Sequence, residues 1–303
     1  MSPVSIREPD AGEAAALAEL LNAHSRAIHG EADLSVDEVC HWFTMKNIWM
    51  RVVERDGCPV AYLDVADDHE DGTRFHVDAR PLDAEAADAA AKAAVEHARA
   101  HAAPEAIVRG YAPERDEACS AAYERAGFRV VRHSFEMRID DLRDVAAPVW
   151  PEGICVRTFR PEDEEVVWAV TNEAFADHWD HQPPTPEGRA QWRHRQLESP
   201  RFDPELWFLA EDGGEVAGVG LCDWHHSGDP RFGWVQTLGV RRRWRRRGLA
   251  LALLRHAFAE FARRGATRVG LGVDAENTTG AVRLYECAGM HVERLSDTWE
   301  LTL

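Results

Sequence analysis

The stretch Val240 to Leu254, VRRRWRRRGLALALL, places six arginines directly before a glycine and an apolar helical run. A helix start presents backbone N–H groups with no carbonyl behind them and a partial positive charge. Such a start is an anion site. Gly248 lets the backbone approach an anion with no Cβ in the way, and Ala250 keeps the next turn small. Each well-formed charge-assisted hydrogen bond from an arginine adds about 1.5–3 kcal/mol. The chemistry served is the binding of phosphate, either on a nucleic acid or on one small polyanion of pyrophosphate shape. A second group lies downstream in NTTGAVRLYECAG, where Asn277 offers an amide and Tyr285 a phenol able to donate a proton.

The charge balance separates these two readings. The chain has 303 residues and a formal net charge of -18. Nonspecific nucleic-acid binding depends on neutralising many phosphates, which such a chain does not favour. A local basic pocket survives, because charges more than about 8–10 Å apart are largely screened. Lys46 and Lys92 are the only lysines, so arginine is the general basic residue of this chain. No apolar run of about 18 residues is present, so no membrane span is expected. The opening MSPVSIREPD lacks an apolar leader region, which predicts a cytoplasmic protein. Cys40, Cys58, Cys119, Cys155, Cys222 and Cys287 are scattered without a C-x-x-C pair, as suits reduced thiols with no metal.

The elements that must position these residues occur twice. GYAPERDEACSAAYERAGFRVVRHSFEMRI from Gly110 and GVDAENTTGAVRLYECAGMHVERLSDTWEL from Gly272 match without a gap, pairing Tyr123 with Tyr285 and Gly127 with Gly289. Each reads as strand, helix, glycine stop, strand. The halves also open alike, with a short strand and an acidic helix start near Val4 and near Cys155. Pro148 and Pro151 suit a linker at 144–152. Two homologous domains are expected, 1–143 and 153–303, of α/β (α+β) class, each a mixed, mostly antiparallel sheet flanked by helices. In the second, a strand near Ile154–Phe159 precedes a helix near Glu162–Phe175 and another near Glu187–Leu197. A hairpin turns at Gly213-Gly214. The strand FGWVQTLGV leads through the arginines to a helix ending at Gly265, with Ala250, Leu254, Ala257, Phe258 and Phe261 on one face. A strand RVGLGV and a helix capped by Asn277 follow. His225 and His226 are expected side by side on one strand, with their side chains apart.

Arg245-Arg246-Arg247-Gly248-Leu249-Ala250 matches the R/Q-x-x-G-x-G/A signature of GNAT acyltransferases, and the strand before it, the helix after it and the Asn277…Tyr285 helix complete the pattern. The chain resembles that family over 153–303. The resemblance implies an N-acetyltransferase that moves an acetyl group from acetyl-CoA to a small-molecule amine by direct attack. Backbone amides of Arg245, Arg246, Arg247, Gly248, Leu249, Ala250 and Leu251 would hold the pyrophosphate. Leu238, Gly239 and Val240 would pair with the pantetheine arm, Asn277 would touch the same arm, and Tyr285 would protonate the departing thiolate. The tandem form is similar to the mycothiol synthase group, which acetylates a cysteinyl pseudo-disaccharide. This chain departs from that group's pattern at Trp234, where the group has a strand acid, at Asp223, where it has a lysine, and at Pro183-Pro184-Thr185. Asp180 is retained. A noncatalytic acyl-CoA sensor is the remaining alternative.

In the first half, Leu82-Asp83-Ala84-Glu85-Ala86-Ala87 stands where the signature would be, and Arg115 stands at the Asn277 position. Two carboxylates there repel an anion, so the first domain is expected to keep the fold and lack catalysis. An amine with a pKa near 10 needs a proton acceptor before it can attack a thioester. Asp180 is the leading candidate, with His178, His181, Asp223 and Glu276 also open. Gln236 can orient a water but not take the proton. The abundance of acids points to a cationic amine as partner.

Overall fold

The computed structural model describes residues 3–67, 70–179 and 181–303. Chain contacts divide it into two units, Met1–Ser134 with Arg294–Leu303, and Phe135–Glu293.

The first unit runs β1 (Val4–Arg7), α1 (Ala14–His29), α2 (Val36–Trp42), β2 (Ile48–Arg55), β3 (Cys58–Asp67), β4 (Arg74–Pro81), α3 (Ala84–His101), β5 (Ile107–Pro113), α4 (Glu117–Arg125) and the start of β6 (Arg129–Ile139). β1 to β4 pair antiparallel in sequence, and β4 and β5 run parallel across the α3 crossover. Alternation along β4 sends Phe75, Val77 and Ala79 into a core with the alanine-rich face of α3. The opposite face packs Tyr62 and Val52 against Leu17 and Leu21 of α1.

The second unit takes the end of β6, then β7 (Ile154–Thr158), α5 (Glu164–Phe175), α6 (Pro186–Gln196), β8 (Trp207–Asp212), β9 (Glu215–Asp223), β10 (Phe232–Val240), α7 (Leu249–Arg263), β11 (Arg268–Asp274), α8 (Ala281–Cys287) and the start of β12 (His291–Thr302). Its strand order is β6-β11-β10-β9-β8-β7. β7 through β10 pair antiparallel, and β10 runs parallel to β11 across α7. Leu253, Leu254, Ala257, Phe258 and Phe261 of α7 pack with Cys222, Val235 and Tyr285 on one face. Val167 and Val170 of α5 pack with Trp207, Val219 and Leu221 on the other. Ala250, expected in the buried stripe, is only half buried.

The units do not follow the division at 1–143 and 153–303. Arg294–Leu303 belongs to the first unit, and Phe135–Ile139 to the second. The cause is the edge of β5, whose backbone groups need a partner. Every residue from Ile107 to Pro113 is paired antiparallel with β12, Thr302 through Ser296. Trp299 then packs on Tyr123 with ring centroids 6.1 Å apart. In return, Met137 and Ile139 enter the second unit's core beside Ala288 and Met290. The stretch at 144–152 has no regular structure, yet Val145 and Trp150 pack on that core, so it is a fastened strap.

Two local readings also change. The last helix begins at Ala281, after Gly280 at φ +83°, not at Asn277. His225 and His226 lie beyond the end of β9, in a turn where His225, Ser227 and Gly228 all have positive φ.

Removal of Arg294–Leu303 is expected to expose the edge of β5 at a distance of about 190 residues in sequence, for each β5 amide bond lost weakens that edge. Hydrogen exchange should show faster exchange at Ile107–Pro113, with β8 and β9 unchanged. Trp299→Ala should cost about 3 kcal/mol of unfolding free energy in denaturant titration by emptying the same contact.

Candidate active site

β10 holds the feature from which the rest of the site follows. Its pairing with β9 shifts register between Val235 and Thr237, so Gln236 is bulged. A bulge bends and twists its strand. On the other side, β10 pairs with β11 only from Phe232 to Trp234, ending at Trp234 opposite Gly270. Beyond that point the two parallel strands part. Leu238, Gly239 and Val240 keep β9 on one edge, opposite Gly220, Val219 and Gly218, and turn the other edge toward the split. Their backbone groups on that edge need water or a ligand. Gly239 permits α5 to close on the strand, because a Cβ there would lie 3.0 Å from the Ala174 methyl.

After β10 the chain turns into α7 through two left-handed residues, Arg246 at φ +61° and Gly248 at φ +84°. A non-glycine residue there is strained, and such strain collects at functional sites. The left-handed turns swing successive N–H groups to one side, as in an anion nest. Gly248 is the residue before the helix and provides no side-chain cap. The first backbone bond entering α7 runs from the Ala252 N–H to the Gly248 carbonyl. The amides of Leu249, Ala250 and Leu251 therefore have no carbonyl behind them in the helix.

The arginine side chains mostly serve the protein itself. Arg241 donates to Glu173 at 2.6 Å and to Glu215 at 2.8 Å. Arg242 pairs with Asp177, and Arg243 lies over the Trp244 ring at 4.4 Å. Arg245 turns inward: Nε donates to the Val240 carbonyl at 3.0 Å, Nη2 to the Ala174 carbonyl at 3.0 Å and Nη1 to Asp177 at 2.8 Å. It thereby ties the end of α5 to the end of β10. The Arg242 and Arg245 guanidiniums hold the Asp177 carboxyl down at about 2. Arg247 stands 3.8 Å from Asp212, which also accepts from the Trp244 indole at 2.8 Å. Arg246 is exposed, with no ion pair among the described residues.

Tyr285 lies on α8, buried to 8 % exposure in the core shared with α7. Burial pushes its phenol up to about 12, so it stays protonated through the neutral range. Its hydroxyl makes no hydrogen bond among the described residues. Asn277 builds a turn instead of a helix cap: its Oδ1 accepts from the Thr279 N–H at 2.8 Å. The side-chain amide N–H groups are its remaining polar handle. Cys287 is exposed on the same short helix.

The corresponding place in the first unit is built differently. β4 pairs with β3 without a bulge from Phe75 to Pro81. The α3 start is closed by Asp83, whose Oδ1 accepts from the Ala86 N–H at 3.0 Å. Arg55 clamps Asp83 at 2.6 Å and Glu85 at 3.0 Å, holding the Asp83 carboxyl down at about 2. Further along, His24 of α1 meets Asp116 at 2.8 Å, both fully buried, and the Tyr123 ring lies against Gly110, where a Cβ would fall 2.5 Å from it. The carboxylate occupies the anion position and side chains fill the interior.

Of the candidate proton acceptors, Asp180 lies outside the described residues. His178 sits in the turn after α5, its ring 4.6 Å from that of Phe175, and His181 continues that turn through its N–H to the His178 carbonyl. Glu276 is exposed in the loop before α8. Asp223 is buried to 8 % exposure at the end of β9, directly opposite Trp234. The sequence reading missed the carboxylates that neutralise the arginines, and it missed the bulge. A signal for the bulge exists: Gly233, Val235, Leu238 and Val240 break the period of two between Val235 and Leu238.

Residues 167–290, inside the second unit, match the family model for the acetyltransferase (GNAT) family. A mycothiol acetyltransferase from Thermobispora bispora is 38% identical over 176 residues, 56% of this chain and 58% of the relative. One from Streptomyces bingchenggensis is 40% identical over 147 residues, 47% of this chain and 44% of the relative. The chain thus spans about half the length of the curated relatives it matches. Among solved structures, a GCN5-related N-acetyltransferase from Sphaerobacter thermophilus is 31% identical with a TM-score of 0.78, covering 100% of this chain and 97% of that one. A tandem GNAT protein from the clavulanic acid biosynthesis pathway, 16% identical with a TM-score of 0.77, covers 99% of this chain and 98% of its own and shares the fold. Fold, signature loop and full-length similarity together make this chain a member of the GNAT family of acetyltransferases.

Proposed function

We propose that the second unit transfers an acetyl group from acetyl-CoA to the amine of a small molecule, and that the first unit has no catalytic site. The observation that carries this reading is the uncapped start of α7 at the end of a strand that has left its neighbour. The pyrophosphate would take the free amides from Arg246 to Leu251, with Arg246 and Arg247 nearby and Arg245 bracing the loop from behind. The pantetheine would extend a backbone ladder along Leu238, Gly239 and Val240, in the manner of an added strand. Asn277 would offer its amide to the same arm. At about 3.3 Å per residue, the run from Val240 back to Gln236 carries the arm roughly 13 Å, to the bulge two residues short of where the split closes. The thioester then sits at the bulge.

The amine attacks that thioester directly, and Tyr285, kept protonated by burial, gives its proton to the departing thiolate. No helix among the described residues is long and apolar enough to cross a membrane. Mycothiol acetylation is the second reading, favoured by the 38% identity of the Thermobispora bispora relative.

Gly248→Glu places a strained residue and a negative charge at the anion position. It should weaken acetyl-CoA binding at least about 100-fold in calorimetry, and unchanged affinity would overturn the loop assignment. Tyr285→Phe should lower kcat about 100-fold with acetyl-CoA affinity unchanged. With its phenol at about 12, activity that needs the Tyr285 proton should persist until the pH approaches that value. A Tyr285-dependent loss centred near pH 8 would assign the proton to another acid.

A further inference from the structure

The closed end of the split carries a second set of groups that the acyl-CoA reading does not use. Asp223 is the cross-strand partner of Trp234, so both side chains stand on the α5 face of the sheet. Their neighbours Cys222 and Val235 point to the α7 face and are buried there. Trp234 is also the last residue of β10 paired with β11. Asp223 is thus one strand from the point where the strands part, on the side away from α7. The Trp234 ring covers Gly270 of β11, where a Cβ would lie 2.6 Å from it. His226 stacks on that ring with centroids 4.1 Å apart and planes 12° from parallel, held by the left-handed turn at His225 and Ser227. Phe232 and the Arg268 guanidinium, 4.3 Å apart, extend the pile away from the split. Toward the split, the next glycine of β11 on this face, Gly272, is exposed, with no atom of the described residues within 4 Å of a built Cβ.

A flat aromatic floor, a buried carboxylate beside it and open space ahead of it describe a pocket for a small cation. Arg201 reaches Asp223 from the loop after α6, with Nη2 3.7 Å from Oδ2. We propose that Asp223, with the Trp234 and His226 rings, forms the acceptor subsite, and that Asp223 takes the proton from a cationic primary amine. This rests on the acyl-CoA reading above and adds the acceptor class to it.

The step balances as follows. The ammonium gives one proton to the Asp223 carboxylate. The freed nitrogen lone pair forms the C–N bond to the thioester carbon, and the carbonyl π pair moves to oxygen. When the C=O re-forms, the C–S bond breaks and its pair leaves on sulfur. The thiolate takes the Tyr285 proton, the second nitrogen proton restores Tyr285, and Asp223 returns its proton to solvent.

Ethylamine and 2,2,2-trifluoroethylamine test this, because they match closely in size while only the first is cationic at pH 7. Acetyl-CoA-dependent thiol release is read for both with the full chain. Asp223→Asn should lower kcat/KM for ethylamine at least about 100-fold and leave trifluoroethylamine within about threefold. Asp223→Glu should retain the preference of the unaltered chain, and acetyl-CoA affinity by calorimetry should be the same in all three. Equal losses for both amines, or none, would overturn the proposal. So would an unaltered chain that binds acetyl-CoA and acetylates neither amine, and that result leaves the acyl-CoA site standing. Failure of the unaltered chain to bind acetyl-CoA would instead remove the acyl-CoA reading itself.

Discussion

Backbone N–H and C=O groups that lose their partner must find another, and the second unit leaves two sets of them open at adjacent places. One is the edge of β10 beyond Trp234, and the other is the start of α7 behind Gly248. At the first, the bulge at Gln236 follows two residues after the last one paired with β11. The left-handed backbone at Arg246 and Gly248 produces the second. The first unit starts from the same succession of strand, crossover helix and strand, and β4 likewise pairs with β5 only as far as Val77, but its helix start is closed from within. There β4 runs straight along β3, and Asp83 caps its own helix. At these places the two units thus differ in a few backbone angles and one carboxylate.

The arginine run illustrates how charge and function separate. In a chain of net charge -18, acids near the run meet Arg241, Arg242 and Arg245 in short ion pairs. Exposed pairs of this kind contribute little to stability, typically about 0–1 kcal/mol. Their effect is geometric. Arg245 holds the carbonyls of Ala174 and Val240 together, and the loop before α7 is fastened from behind. The exposed Arg246 and the more loosely paired Arg247 are left nearest the helix start.

Local signals in the sequence carried most of the second unit. The period of α7, the turn at Gly213-Gly214 and the stops at Gly265 and Gly289 all match the elements observed, because each depends on residues within one turn or hairpin. The repeat carried the existence of two units. What stayed hidden depends on contacts distant in sequence. Pairing of Ser296–Thr302 with β5 satisfies an edge that no local pattern announces. The juxtaposition of Asp223 with Trp234 follows from a register that one bulged residue sets. Asn277 has the composition of a helix cap, and Gly280 took that place because its backbone reaches φ +83°.

The central claim is that one acyl-CoA site exists per chain and that backbone amides of the second unit form it. Calorimetric titration of the full chain with acetyl-CoA tests it most directly. The account predicts one site per chain, lost in Gly248→Glu and unchanged in Asp83→Ala. Two sites, or one that persists in Gly248→Glu, would contradict it and assign binding to the first unit.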